Sequence, residues 1–346
     1  MSRRRLFLDD APGELRGVVT LDDRPERLLI HRNDDEPRLA LGARVAARVA
    51  DVEPALATAF LDLGDGLSAV LPFRPDQRPV RGHAIEAEIR SEPRGGKLAT
   101  VRAIGRSEGP PRLLAPAPSL TDQLRLLAPK ALVEQGPIAR QAADEAEAEA
   151  LEALSALPGG GAIVIEPTHA LTAVDVDVSN RKGGDAKRVT RQANLAAIAQ
   201  AARLLRLKGL GGLVVIDLAG RGHDGDALLA AARAAFAPDN PGVAFGPISR
   251  FGTLELTIPR RIRPVLERLC RDDGSPGDRT LAQGLIRRLM SEAEAQPGAR
   301  LAGVCCPAVA RAAEPLLRKL AERVGDRVEI SAAPEYPRDR LEVVPR

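Results

Sequence analysis

Two apolar strands that each end in aspartate, Thr172-Ala-Val-Asp175-Val-Asp177 and Leu213-Val-Val-Ile-Asp217, bracket one long helical segment. A strand, a helix and a second strand in that order make parallel neighbours, because parallel pairing needs a crossover between the strands. This stretch is thereby held to an α/β arrangement, and both aspartates leave the sheet at the same edge. Carboxylates gathered at one edge can share a divalent cation as hard oxygen ligands. In the helix, Leu195, Ile198, Ala202 and Leu205 repeat at helical spacing, while Arg188, Arg191, Arg203 and Arg206 lie off that stripe. Gly209-Leu-Gly-Gly212 stops the helix just before the second strand.

A 346-residue chain that is 44% hydrophobic can fill the cores of roughly two to four compact units. Residues 5–31 alternate short apolar runs about a turn at Leu21-Asp-Asp-Arg-Pro25, which predicts a hairpin, and Asn33-Asp-Asp-Glu-Pro37 closes it. Five short strands with glycine-rich turns follow at residues 44–49, 57–63, 68–73, 84–89 and 98–103, the pattern of a small closed barrel. A proline-rich stretch over residues 109–118 marks the exit from it. An acidic, alanine-rich helix over residues 142–157 ends at Pro158-Gly-Gly-Gly161, and strands over 161–166 and 171–177 come next. A helix over 227–236 and strands near 243–245 and 253–258 complete the unit that holds the aspartates. From Thr280 the order is helix, strand (301–306), helix (308–324) and strands near Val328 and Leu341, a separate small α/β domain.

Net charge is +3, yet residues 181–270 carry fifteen Lys and Arg against seven Asp and Glu, or +8, which leaves −5 for the rest. A basic sector around paired carboxylates suits a polyanionic substrate held for metal-assisted attack. Arginine supplies 44 of the 50 basic residues, which also fits a GC-rich genome. The first residues look briefly like a secretory n-region, but Asp9 and Asp10 cut the apolar run short, and no stretch reaches membrane-span length. Three cysteines, two of them adjacent at Cys305 and Cys306, cannot build a disulfide framework and fit a reducing compartment. The expectation is a cytoplasmic protein with no membrane partner.

Three segments carry a family resemblance: Leu157-Pro-Gly-Gly-Gly-Ala-Ile-Val-Ile-Glu-Pro-Thr-His-Ala-Leu-Thr-Ala-Val-Asp175, Asn194-Leu through Arg206-Leu-Lys-Gly-Leu-Gly-Gly-Leu-Val-Val-Ile-Asp217, and Ile248-Ser-Arg-Phe-Gly-Thr-Leu-Glu-Leu256. In order and near spacing they resemble the catalytic region of the ribonuclease E/G family. Val52-Glu-Pro-Ala-Leu-Ala-Thr-Ala-Phe-Leu-Asp-Leu-Gly64, followed by Val70-Leu-Pro72, looks like that family's RNA-binding OB barrel of the ribosomal S-one type. The resemblance implies an α/β fold of several subdomains, with a DNase-like/RNase H-like catalytic core, an inserted OB-fold β-barrel and a small C-terminal α/β domain. Its expected parts are an N-terminal hairpin packing on the core (1–38), the barrel (39–106), a linker with the acidic helix and an RNase H-like remnant (107–170), a Mg-binding catalytic subdomain (171–275) and the C-terminal domain (276–346).

For activity, the resemblance implies an endoribonuclease that cuts single-stranded RNA with Mg²⁺, or Mn²⁺ in its place, held by Asp175 and Asp217. Metal-activated water is the implied nucleophile, with 5′-phosphate and 3′-hydroxyl products. Two carboxylates, waters and phosphate oxygens suit the octahedron of that ion. Where the family usually has an asparagine that helps place the water, this chain has Asp177. Alternation puts Asp175 and Asp177 on one face of the strand, so Asp177 is either a third carboxylate in reach of the metal or a solvated strand end.

RNA contacts are expected at three places. Arg181, Lys182, Lys187, Arg188 and Arg191 surround Gly183-Gly184 after the first aspartate strand, where exposed amides and cations can clamp phosphates. Arg250 offers a guanidinium to phosphate and Phe251 a ring to a base, with Phe251 equally readable as core. In the barrel, Phe60 stands at a base-stacking position of the family and Lys97 at a backbone-binding one, while Val70 replaces a second aromatic. The chain has one Tyr and six Phe, so the stacking platform is thin and the barrel's RNA affinity should be modest and salt-dependent.

Two parts of the family pattern are missing. Residues 107–156 hold no counterpart of the Arg-Thr pair that senses a 5′-monophosphate, so no strong preference for such RNA ends is expected. The two-cysteine zinc link is also absent: Cys270 stands alone in Leu269-Cys-Arg-Asp-Asp-Gly274, and one thiolate per chain gives a dimer half of a tetrahedral site. Zinc and zinc-linked assembly are not expected, and monomer and dimer both stay open. Cys305-Cys306 reads as buried structural cysteine. The leading expectation is thus a compact Mg²⁺-dependent endoribonuclease of RNA processing or decay. The alternative is a catalytically weak or inactive RNA-binding relative, with a DNA-directed nuclease further off.

Overall fold

The computed structural model describes residues 3–179, 181 and 185–346. Strands β1 (Arg4–Ala11), β2 (Glu14–Leu21) and β3 (Arg24–Arg32) form an antiparallel meander, one strand more than the expected hairpin. Next come β4 (Arg44–Glu53), β5 (Thr58–Gly64), β6 (Leu67–Pro72), β7 (Ala84–Ser91) and β8 (Ala99–Arg106). They are bonded in the order β5-β6-β8-β7-β4, and β4 pairs again with β5, so the sheet closes into a five-stranded barrel. Alternate residues fill its interior, among them Val45, Ala47, Val49, Leu61, Leu63 and Ile89. The proline-rich exit is partly a strand, β9 (Arg112–Ala115), bonded to β4.

The barrel is an insertion into the first sheet. The chain returns as α1 (Leu120–Leu127), whose Leu120 and Leu124 pack with Leu6 and Val19, and as β10 (Val133–Glu134), which pairs in parallel with β1. Helix α2 spans Pro137–Leu151, not residues 142–157. Pro137 supplies the preset φ of a first turn, and at every third or fourth residue an alanine, Ala139, Ala143, Ala146 and Ala150, is buried. The ammonium of Lys208 takes the carbonyls of Ala150 (2.9 Å) and Glu152 at the helix end. Burial pushes that ammonium down to about 8. Residues past this cap run as an edge strand, β11 (Leu154–Ala156).

The central sheet adds β12 (Ala162–Pro167), β13 (Thr172–Asp177), α3 (Ala186–Lys208), β14 (Gly212–Asp217), α4 (Gly225–Ala235), β15 (Ala244–Phe245) and β16 (Thr253–Ile258). Its order is β11-β12-β13-β14-β16-β15, with β13 and β14 parallel and the flanking pairs antiparallel. Helix α3 lies between two sheets, because Ala197, Ile198, Ala201 and Leu205 share one core with Phe7 and Leu28 of the first sheet and Val174 and Ile216 of the central one. Off the apolar stripe, Arg203 is therefore buried too and the Arg206 side chain is nearly covered. Arg203 reaches the Pro25 carbonyl at 2.6 Å and Glu149 at 3.0 Å, and Arg206 reaches Asp239 at 2.7 Å and Glu26 at 3.3 Å.

After α5 (Val265–Leu269), the C-terminal unit consists of α6 (Asp278–Ala295), β17 (Leu301–Cys305), α7 (Pro307–Val324), β18 (Val328–Ala332) and β19 (Glu342–Pro345), with β17 in the middle of its sheet. Cys305 and Cys306 are buried there, and burial raises the Cys305 thiol to about 11. Buried charges join this unit to the first sheet: Asp9 contacts Arg16 at 2.8 Å and Arg287 at 2.9 Å, while Glu14 contacts Arg287 at 2.9 Å. Among the described residues no helix is long and apolar enough to cross a membrane.

Candidate functional site

Burial alternates along both aspartate strands. Thr172, Val174 and Val176 of β13 face the core while Asp175 and Asp177 are exposed; Val214 and Ile216 of β14 face in while Leu213 and Asp217 are exposed. The register places Asp175 directly beside Asp217 on parallel strands, whose axes lie about 4.8 Å apart. Thr253 of β16 continues the row past Asp217, and Val164 of β12 continues it past Asp175. Among the described residues neither aspartate has an ion pair or a side-chain hydrogen bond.

Asp177 is engaged differently. Its carboxylate accepts from the Ser179 amide (2.8 Å) and hydroxyl (2.6 Å), bonds that hold its carboxyl below the ordinary range. No group of three His, Cys, Asp or Glu among the described residues could hold a metal ion. The arrangement is a two-carboxylate edge with Asp177 shaping the turn beyond it. Two carboxylates fit Mg²⁺, which usually keeps several waters and takes its remaining oxygens from substrate phosphates.

The turn before β12 is built onto this edge. Gly161 has φ +79°, and a Cβ there would lie 2.3 Å from the Asp177 carbonyl oxygen, so only glycine fits. Arg181 donates to the carbonyls of Gly160 and Pro158, each at 2.7 Å, and thereby staples the same turn. Lys182, expected to touch phosphate, lies outside the described residues. Lys187 and Arg188 are exposed on the first turn of α3. The backbone amides of Lys187 and Arg188 already donate to the Asp185 carboxylate, at 2.9 and 3.3 Å, so these two residues offer their side-chain cations and not their amides; Gly183 and Gly184 lie outside the described residues. Arg191 pairs with Asp224 at 3.3 Å, an exposed contact of little energetic weight.

Arg250 stacks over the ring of Phe251 at 4.7 Å, and Phe251 is 77% exposed, so it is no core residue. A Leu218 amide to Gly252 carbonyl bond of 3.1 Å joins this loop to the chain leaving Asp217. Phe60 is 38% exposed on the barrel wall beside Val70, and Lys97 is exposed at the turn between β7 and β8. The structure thus gathers Asp175, Asp217, Arg250 and Phe251 at one edge and keeps Phe60 and Lys97 on the barrel.

Two residues carry weight that periodicity did not reveal. Asn194 of α3, 1% exposed, donates to the Ala219 carbonyl and accepts from the Ala219 amide, both at 3.0 Å, and so clamps the backbone two residues past Asp217. His223 packs on Gly252 with its Nε2 buried and without a partner among the described residues. An asparagine inside an apolar helix is the available signal for the first, since it disfavours helix interiors unless it has a partner. The second stands in a glycine-rich loop and has no such signal.

Residues 117–261 match the family model described as the Ribonuclease E/G family. Ribonuclease E of Haemophilus influenzae is 37% identical over 149 residues, 40% of this chain and 16% of that protein. Ribonuclease E of Escherichia coli is 40% identical over 113 residues, 32% of this chain and 11% of that protein. Ribonuclease G of Salmonella typhimurium is 27% identical over 212 residues, 56% of this chain and 43% of that protein. The matches thus cover less than half the length of each of these relatives. All three segments that carry the sequence resemblance fall inside the family-matched span, which bears that resemblance out; the barrel lies before it.

Proposed function

We propose, from the premise of a ribonuclease E/G-like span over residues 117–261, that this chain is a Mg²⁺-dependent endoribonuclease cutting single-stranded RNA at the Asp175–Asp217 edge, in RNA processing or decay. The observation that carries the reading is a pair of exposed aspartates, in register on parallel strands inside the matched span and free of protein partners among the described residues. On this reading the six-stranded sheet would be the DNase-like/RNase H-like catalytic core, and the division proposed is 1–38 packed on the core, 39–106 as the barrel, 107–170 as linker and remnant, 171–275 as the metal-binding subdomain and 276–346 as the C-terminal domain.

Asp175 and Asp217 would hold the ion, with Mn²⁺ as a substitute. Bound there, it would offset charge on a phosphate oxygen and ease deprotonation of a water, giving 5′-phosphate and 3′-hydroxyl ends. The protein's own part is positional. Asn194 and the Leu218–Gly252 bond fix the backbone just past Asp217, while Asp177 and Gly161 fix the end of β13. Lys182, Lys187, Arg188 and Arg191, with Arg181 at their base, offset substrate phosphate charge, and Phe251 with Arg250 offers a stacking platform. Phe60 and Lys97 hold RNA on the barrel. Zinc has no part in this reading, since Cys270 offers a single thiolate per chain. Three free cysteines accord with a cytoplasmic location.

The test is labelled single-stranded RNA with and without Mg²⁺, beside Asp217→Asn. Cleavage should require Mg²⁺ and fall about 100-fold or more in the variant. The reading of a weak or inactive RNA-binding relative draws on Asp177, whose oxygens serve Ser179 where the family has a water-placing asparagine. Binding without cleavage by both proteins would select it and end the enzyme reading.

A further inference from the structure

The barrel is tied to the core along one seam, and that seam is basic. The Glu92 amide donates to the Arg261 carbonyl at 2.9 Å, the Arg263 amide donates to the Glu92 carboxylate at 2.9 Å, and the Gly95 amide donates to Glu267. These bonds place the β7–β8 turn, with Arg94, against the segment that carries Arg260, Arg261 and Arg263. Arg94 and Arg260 are half-buried and Arg261 and Arg263 exposed, and none of the four is in an ion pair among the described residues, whereas the buried Arg16, Arg203 and Arg287 are paired.

Each half-buried guanidinium spends only part of its donor set on protein. Arg94 uses one Nη, on the Ser91 hydroxyl (2.6 Å) and the Glu92 carbonyl (3.3 Å). Arg260 uses Nε on the Gly211 carbonyl at 3.1 Å and lies over Gly212, where no Cβ would fit. A guanidinium has five N–H donors, so each keeps a free edge of the kind that takes a phosphate bidentately. Burial, and then the charge of Arg260, lowers the Arg94 pKa, as two cations held side by side require; Glu267 acts the other way. Holding two such cations at a seam costs free energy that a bound polyanion returns.

We infer that the seam carrying Arg94 and Arg260 is a second backbone-binding site for single-stranded RNA, set apart from the cutting edge. Gly212 and Asp217 are the two ends of β14, so the seam lies about 16 Å from the aspartates, at about 3.3 Å per residue. That distance equals roughly five stacked nucleotides at about 3.4 Å each. The seam therefore registers the strand: RNA fixed here presents its scissile phosphate several nucleotides away, and fragments shorter than that span are not held at both places. The inference rests on RNA as the ligand but not on cleavage.

The experiment is anisotropy of a labelled 15-nucleotide uridine RNA in EDTA, over a salt series, for the wild type and for Arg94→Gln/Arg260→Gln. A second variant, Arg94→Gln/Arg263→Gln, leaves the Arg260 bond to Gly211 intact and guards against a folding defect. Affinity should fall about tenfold at 50 mM salt, and the slope of log K against log salt should flatten by about 1.4, two single-strand contacts at about 0.7 each. Unchanged affinity and slope in both variants, with wild-type circular dichroism, would overturn the seam site while leaving the catalytic reading intact. Seam-dependent binding by a protein that cuts no RNA supports the seam and ends the catalytic reading instead.

Discussion

Asn194 shows how one side chain settles the geometry of a distant pair. Its amide is matched to both polar groups of Ala219, so Asn194→Ala leaves a half-buried N–H and carbonyl unpaired, at about 1–3 kcal/mol. Urea unfolding should show that loss, and cleavage should lose kcat with KM little changed, because the substituted residue places Asp217 and does not touch RNA. A KM effect alone would contradict this. The residue stood in plain view within a family-like segment, yet its partner is 25 positions away, a relation that periodicity cannot express. Arg181 is the same lesson reversed. From sequence it is one cation of a phosphate clamp, whereas two of its nitrogens already serve the turn at 158–160. The aspartate pair was legible because alternation within each strand and parallel pairing between them are local rules.

Gly161 governs the end of an element. With φ +79° and the Asp177 carbonyl where a Cβ would stand, Gly161→Ala must push the turn away from β13. The expected cost is roughly 2 kcal/mol or more in thermal unfolding, with a further loss of cleavage beyond what reduced folding explains. An alanine variant as stable as wild type would show that the turn yields freely. At this scale most strands and long helices were readable from sequence, including all five barrel strands and the β13-α3-β14 unit. The failures have a common cause. Strands β9 and β10 and helix α1 are short and draw their stability from elements far along the chain, and the start of α2 is set by Pro137, not by its acidic composition. The two-sided burial of α3 was hidden because its second face mixes Leu204 and Leu207 with small alanines and the ion-paired Arg203, which blurs the apolar period.

Across the whole molecule, Asp9 and its arginines join the first sheet to the C-terminal unit. Burial acts to raise the Asp9 carboxyl, but Arg287 and Arg16 outweigh it and hold the group below its ordinary value of 3.8. A depressed carboxyl contributes stability that is present above 3.8 and is lost as pH falls through the lowered folded value. Asp9→Asn should therefore cost roughly 3–5 kcal/mol at neutral pH, and the gap from wild type should close below 3.8. Denaturant titrations at stepped pH give the answer, and a gap independent of pH would refute the assignment. The order of the sheets, meander, barrel, central sheet and small C-terminal sheet, was legible at this scale, but the way residue 133 returns to pair with residue 6 was not.

That return has a consequence for the order in which the protein can be made. The barrel strands lie within residues 44–106 and pair among themselves, so they can close as soon as they leave the ribosome. Phe7 and Leu28 are buried against α3, whose first residue is Ala186. At the usual pace of synthesis they wait on the order of ten seconds or more for that cover. The nascent chain thus carries a finished barrel beside an apolar meander that is still bare. Its first strands stay open on that face until α3 has been made, an interval in which they need protection from neighbouring chains.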